Sequence, residues 1–406
     1  MTSPHTRFYL FYMIGLSLTP LLAVYTPRAL AFFPALIGLL AGLYWLFACK
    51  EKIAFSRPYL YWMLALGLLW SASSLWSDHS ADILEKTVKM LPILLLGVFL
   101  FSLPKAFKIE KIRPFLWIFP AGVAVAALLT SIELAGNMPI YRLIRGLDQY
   151  ADIGTAVMNR SVVTQILCFF PAIVMIQSWD ACKRKQIALT ACLGTSIFSM
   201  LSFTESQSAQ LAFFVGLIFF FAFPYRAKII YPLLTLSMVL LLLSTPWLTQ
   251  FMFKTLAADA SQNAWLSQGY AANRMEIWDF VSRYALENPL YGHGMEATRY
   301  VESFKDSFVY HDKASVLHPH NFAVQLWVEF GLVGALFAAA FITFLIKKIS
   351  VLSTEQRRVC LTVFMTTITT AAISYGLWQS WWLGEFVYLS ALCMLVVHLQ
   401  KNKKEA

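Results

Sequence analysis

The sequence predicts an all-α integral membrane protein of about 12 transmembrane helices, with one long loop that contains short helices. Three observations carry that expectation. Hydrophobic residues make up 59% of the 406 positions and charged residues only 13%, about half the charged share of a soluble domain. Mean hydropathy is +0.62. Apolar stretches of roughly 17–25 residues, the length that crosses a bilayer as helix, recur along the chain and are broken by basic turns.

Taken in order, those stretches cover approximately 8–25, 28–49, 59–76, 87–103, 114–135, 159–178, 186–203, 208–225, 229–246, 322–346, 357–378 and 382–399. Pro58, Pro104, Pro114, Pro224 and Pro246 are expected at helix starts or ends, because proline lacks the N–H that a helix interior uses. The first stretch is too long for a removed signal peptide and has no small-residue cleavage site. This divides the chain into residues 1–246 with nine helices, a polar segment 247–321, and residues 322–406 with three helices and a tail.

Charge sets the expected orientation. If the N-terminus is cytoplasmic, 20 of the 32 Lys and Arg residues fall in short connections on that same side, among them Lys50, Lys105, Lys183, Arg226, Lys347 and Lys401. By the positive-inside rule both termini are then cytoplasmic and segment 247–321 lies outside. The net charge of +10 is read as membrane orientation and contact with membrane lipids. Nucleic acid is not an expected partner, since no basic patch is interleaved with aromatics on a soluble face. The six cysteines, Cys49, Cys168, Cys182, Cys192, Cys360 and Cys393, fall in helices or on the cytoplasmic side, so no disulfide framework is expected.

Polar chemistry gathers outside. His318-Pro319-His320-Asn321 precedes a long apolar helix. With Pro319 at the first helical position, His318 would fall near the cap and His320 one position inside. A helix N-terminus favours phosphate and disfavours imidazolium, so a neutral imidazole there suits a general base. The alternative is two interfacial histidines bonded to loop backbone. A metal site lacks a third ligand at usable spacing. Arg160 opens one helix and Arg274 another, and guanidinium grips phosphate oxygens bidentately; ordinary snorkelling or pairing is the competing explanation. Arg142, Arg145, Arg283 and Arg299 are weaker candidates. Thr204-Glu205-Ser206-Gln207-Ser208 forms a polar outer turn. Glu329 and Glu385 near outer helix ends are expected to pair structurally. Apolar residues at 277, 278, 281 and 285 predict an amphipathic helix capped by Asn273 and stopped by Asn288-Pro289, lying along the membrane surface. No phosphate-cradling glycine loop is present, so ATP is not implied.

Asn273-Arg274-Met275-Glu276-Ile277-Trp278, then Asn288-Pro289-Leu290-Tyr291-Gly292-His293-Gly294, then His320-Asn321 with Gln325, Glu329, Gly331 and Gly334 together resemble the O-antigen ligase/polymerase superfamily. The likeness covers 273–334 in motif detail and the whole chain in layout. It implies a bacterial inner-membrane glycosyltransferase whose large loop is periplasmic and which uses no metal, cofactor or ATP. The donor would be undecaprenyl-diphosphate-linked O-antigen and the acceptor a sugar hydroxyl of lipid A–core oligosaccharide. His320 would be the base, Asn321 would help orient the hydroxyl, and Arg274 would hold the diphosphate with Arg160 as a second grip. Many members carry Ser-Arg where this chain has Ser206-Gln207, so Gln207, Arg142 or Arg145 would share the anion contact. Attack by a single hydroxyl would invert the anomeric centre. An O-antigen polymerase or a protein O-oligosaccharyltransferase would use the same donor. A transporter is the non-enzymatic alternative, opposed by the absence of an internal repeat.

Overall fold

A computed structural model describes residues 3–148, 151–301, 309–311 and 316–401. Among the described residues there are α- and 3-10 helices and no strand. In chain order the α-helices are α1 (Pro4–Tyr25), α2 (Phe33–Phe47), α3 (Arg57–Ser73), α4 (Ser80–Ser102), α5 (Ile109–Ile112), α6 (Ile118–Ala135), α7 (Pro139–Arg145) and α8 (Asn159–Ser178). They continue with α9 (Lys183–Phe203), α10 (Gln207–Phe221), α11 (Ile230–Gln262), α12 (Ala264–Gln268), α13 (Ala271–Ala285), α14 (Phe322–Ser350), α15 (Thr354–Ile373) and α16 (Ser380–Lys401). Each of the twelve apolar stretches contains a helix. Among the described residues eight helical segments are long and apolar enough to cross a membrane: Pro4–Tyr25, Ser80–Ala106, Ile109–Ala135, Thr155–Ser178, Lys183–Phe203, Ile230–Gln262, Phe322–Ser350 and Ser380–Gln400.

The bundle centres on α8 and α16. Along α8 most side chains are fully buried, and α8 packs on α1, α6, α9, α15 and α16. Close approach depends on small residues. Gly15 lies against Ile37, Gly38 against the backbone of Leu100, and Gly384 against the carbonyl of Leu30. At Gly384 a Cβ would sit 1.9 Å from that oxygen, so no side chain fits there.

Two expectations about helix ends require correction. Pro246 does not end its helix; α11 runs through it to Gln262, so the polar segment begins after Gln262 and not at 247. A proline at 246 deprives the Leu242 carbonyl of its intrahelical N–H. That carbonyl instead accepts a 2.9 Å hydrogen bond from the Trp327 indole of α14. The repair satisfies the orphan and ties α11 to α14.

The second correction concerns α13. Its N-cap is Tyr270, in left-handed conformation, and Asn273 lies inside the first turn, where its side-chain amide donates to the Tyr310 carbonyl. The apolar face that the sequence aimed at the bilayer surface packs on α11 and α14, burying Ile277, Trp278 and Val281.

Candidate functional site

The motif residues fall into two groups, one that builds a splice and one that surrounds a polar centre. The splice joins the 288–294 segment to α14. Helix α14 breaks at Gly331 (φ 58°, ψ −145°), a conformation essentially restricted to glycine. At the break, Leu332 N–H and Val333 N–H donate to the carbonyls of Pro289 and Leu290, while His293 N–H and Gly294 N–H donate to those of Val328 and Glu329. Gly292 and Gly331 allow the two backbones to touch, since a Cβ on either would lie 2.6 Å from main-chain atoms of the other segment. The spacing of the two glycine motifs therefore encodes a backbone-to-backbone joint.

Gln325 and Glu329 use the next turns of α14 to hold the α15–α16 connection. Gln325 Nε2 donates to Glu329 Oε1 at 2.8 Å, Leu377 N–H donates to Gln325 Oε1 at 2.7 Å, and the Trp378 indole donates to Glu329 Oε2. Glu329 is fully buried and structural, as expected. Glu276 does comparable work on the loop: its carboxylate accepts from the backbone N–H groups of Val309, Tyr310 and His311. Glu385 is also fully buried, with one 3.4 Å contact from Thr164.

Held this way, residues 374–379 meet the two histidines. Asn321, not Pro319, begins the helix: its Oδ1 accepts from Ala323 N–H (2.9 Å) and Val324 N–H (3.2 Å), a strong N-cap. His320 is thus displaced to just before the cap, in left-handed backbone (φ 56°), and not one position inside α14. The cap commits the Asn321 oxygen, and the side chain's Nδ2–H groups remain its donors.

The two imidazoles lie 4.2 Å apart, centroid to centroid, and differ in tautomer. Gln379 Oε1 accepts from the Trp381 indole (2.7 Å), which turns its Nε2–H groups toward His318 Nε2 (2.8 Å). His318 therefore accepts at Nε2 and carries its proton on Nδ1. Burial above all, with the charges of Arg299 and Lys86 and the neighbouring His320 adding to it, holds its pKa down at about 3. His320 faces the other way: Nδ1–H donates to the Ser374 carbonyl at 2.6 Å, so the neutral ring has its lone pair on Nε2.

Beside them sit Arg160, Arg274 and Tyr375. The Arg160 guanidinium lies 5.5 Å from the Trp381 ring centroid, and Tyr375 meets the same indole edge-on at 4.7 Å. Burial raises the Tyr375 hydroxyl pKa while Arg160 and Arg274 oppose it. Burial also lowers that of Arg274, against Tyr375. Among the described residues neither arginine forms an ion pair with a carboxylate. Two cations are thus held half-buried with no partner carboxylate among the described residues.

The remaining candidates have partners of their own. Arg142 is buried and fully engaged, donating to the carbonyls of Asn137, Asp148 and Ala151 and to Asn137 Oδ1. Its guanidinium ties Asn137, Asp148 and Ala151 together. Arg145 is exposed, donating to the Tyr25 carbonyl and lying over Tyr141. Gln207, first residue of α10, donates to the Trp265 carbonyl. Arg283 pairs bidentately with Asp279, and Arg299 with Glu296. Tyr375, Gln379 and Trp381 were not anticipated; the only signal was the aromatic density of 375–382.

Eight apolar spans and a polar centre at one end of the bundle define a multi-pass helical membrane protein. Residues 191–339 match the family model described as O-Antigen ligase. Over 281 residues it is 24% identical to a protein of Rickettsia conorii named "Putative polysaccharide ligase", covering 68% of this chain and 65% of that one. A Rickettsia prowazekii protein of the same printed description is 26% identical over 281 residues, 68% and 66% of the two chains. A third, from Rickettsia bellii, is 27% identical over 213 residues, half of each. The chain spans about two thirds of the length of the first two relatives.

Proposed function

We propose that this protein is an O-antigen ligase, a glycosyltransferase that moves O-antigen glycan from undecaprenyl diphosphate to a sugar hydroxyl of lipid A–core oligosaccharide. The site faces the periplasm of a bacterial inner membrane, with residues 263–321 as the main outer segment and both termini cytoplasmic. The observation that carries this reading is the pairing of one imidazole whose lone pair lies on Nε2 with two guanidiniums that have no carboxylate partner among the described residues.

His320 is the base. Its Nδ1–H bond to Ser374 makes Nε2 the basic nitrogen of the neutral ring. In the reaction His320 Nε2 takes the acceptor hydroxyl proton as that oxygen bonds to the anomeric carbon. The bond to the diphosphate oxygen breaks with both electrons leaving on phosphate. Arg274 and Arg160 meet the negative charge as it develops, where fixed cations lower the barrier most. The proton leaves His320 with the released lipid diphosphate or to water, so no metal or nucleotide is consumed. One displacement inverts the anomeric centre. His318 stays neutral and fixes the register of the 374–379 segment through Gln379.

The test is transfer by purified protein of lipid-diphosphate-linked glycan onto rough lipopolysaccharide, with chelator and no ATP. Capped lipopolysaccharide of inverted linkage supports the proposal; elongated lipid-linked glycan with no capping makes the protein a polymerase instead.

A further inference from the structure

A second polar hollow, of about 330 Å³, opens between the α3–α4 turn and the 284–300 segment, inside the roughly 300–1,000 Å³ range of small-molecule sites. Its walls alternate flat rings and hydrogen-bonding groups. Trp76 and Tyr291 meet at 5.6 Å and 63°. His79 stacks on Tyr300 at 3.4 Å, and the Tyr300 hydroxyl donates to Asp82 at 2.6 Å. Asp78 and Asn288 add an exposed carboxylate and amide to the lining.

The chemistry of this lining selects among ligands. Aromatic faces accept the C–H side of a pyranose, and carboxylate and amide groups accept its hydroxyls. The nearby cations are already spent: Lys86 and Arg299 both pair with Glu296. A phosphorylated sugar would meet the Asp78 charge with nothing to offset it. The hollow suits a neutral hexose.

Its position suits the acceptor. Tyr300 and Ala297 in the wall flank the Lys86–Glu296–Arg299 knot, and the charges of Lys86 and Arg299 reach His318. The donor arginines lie the other way: Arg274 and the wall residue Tyr284 are at opposite ends of α13, about 15 Å apart at 1.5 Å per residue. That separation leaves room for the reacting sugars.

We propose that this hollow is a sugar-binding subsite, in which Trp76, Asp78, His79, Tyr291 and Tyr300 hold a neutral hexose of the acceptor glycan. The acceptor assignment rests on the ligase reading above; the sugar-binding assignment does not.

The test uses the full chain in nanodiscs without donor. Binding of core oligosaccharide, deacylated and dephosphorylated, is measured by saturation-transfer NMR for wild type, Trp76→Ala, Trp76→Phe and the surface change Asp78→Asn, each checked for unchanged melting. The expected result is binding weakened about tenfold or more in Trp76→Ala and Asp78→Asn and nearly retained in Trp76→Phe, a tenfold loss being 1.4 kcal/mol. In the transfer assay the same variants raise the acceptor KM and leave the donor KM unchanged. No binding to wild type, equal binding by all variants, or a rise in donor KM alone overturns the subsite. Binding that the variants weaken, with no transfer by wild type, keeps the sugar site and refutes the ligase reading.

Discussion

The first three turns of α14 and the residues just before them present opposite uses of polar side chains. At Gln325, Glu329 and the Gly331 break, every polar group described above is answered, by Trp378, Leu377 or the 289–294 backbone. A few residues away, Arg160 and Arg274 have no carboxylate partner among the described residues, and His320 sits in strained left-handed backbone. Satisfied groups define shape; half-buried cations and a histidine at positive φ are the features that mark a candidate site. On the proposed mechanism, a motif residue's part in the chemistry cannot be read from its place in the motif. Glu276, Gln325 and Glu329 stand in the same signature as Arg274 and His320, yet they are structural.

That division is breakable in order of size. Gly331→Ala strikes the splice, adding a Cβ 2.6 Å from the Leu290 carbonyl carbon at positive φ. Strain and overlap together predict a loss of roughly 3–5 kcal/mol, seen as collapse of monodisperse yield in detergent. His320→Ala strikes the centre and should do the reverse, lowering turnover by roughly 10²–10⁴-fold, the usual worth of a general base, with unchanged melting.

Arg274→Lys and Arg142→Lys sharpen the contrast with one chemical change at two places. At Arg274 the loss of bidentate geometry should cut turnover roughly 10–100-fold with little change in stability. At Arg142 it should lower the melting temperature and leave turnover per folded molecule intact. Retained turnover in Arg274→Lys would undo the distinction.

His318 offers a pH test. Its folded pKa is held at about 3, below the unfolded value near 6.5, so under pH 6.5 the unfolded chain binds the extra proton. Stability is therefore present above pH 6.5 and falls as pH drops toward 3, by roughly 2 kcal/mol at pH 5. His318→Gln should flatten that part of the melting profile. Trp327→Phe orphans the Leu242 carbonyl beside Pro246 and should cost roughly 1–3 kcal/mol by thermal melt.

Sequence periodicity located a helix in every apolar stretch, because length and hydropathy are local properties. It failed at Pro246, where the repair comes from Trp327 on a distant helix. It misplaced His320 because Pro319 and Asn321 both signal a helix start, and only the folded cap shows which one is used. Arg142 looked like a phosphate ligand until the turn carbonyls it holds were in place. Arg160, Arg274 and the two histidines were legible as residue types at outer helix ends. Tyr375, Gln379 and Trp381 were not, since they reach the centre through a connection whose position depends on Gln325 and Glu329.

The most direct measurement is single-turnover transfer from lipid-diphosphate-linked glycan to rough lipopolysaccharide, comparing wild type, His320→Ala and His318→Gln across pH 5–9. A base at His320 predicts capped product from wild type, nearly none from His320→Ala, and a His318→Gln profile whose acid limb coincides with that of wild type. Full activity in His320→Ala, or loss of activity confined to His318→Gln, would contradict it.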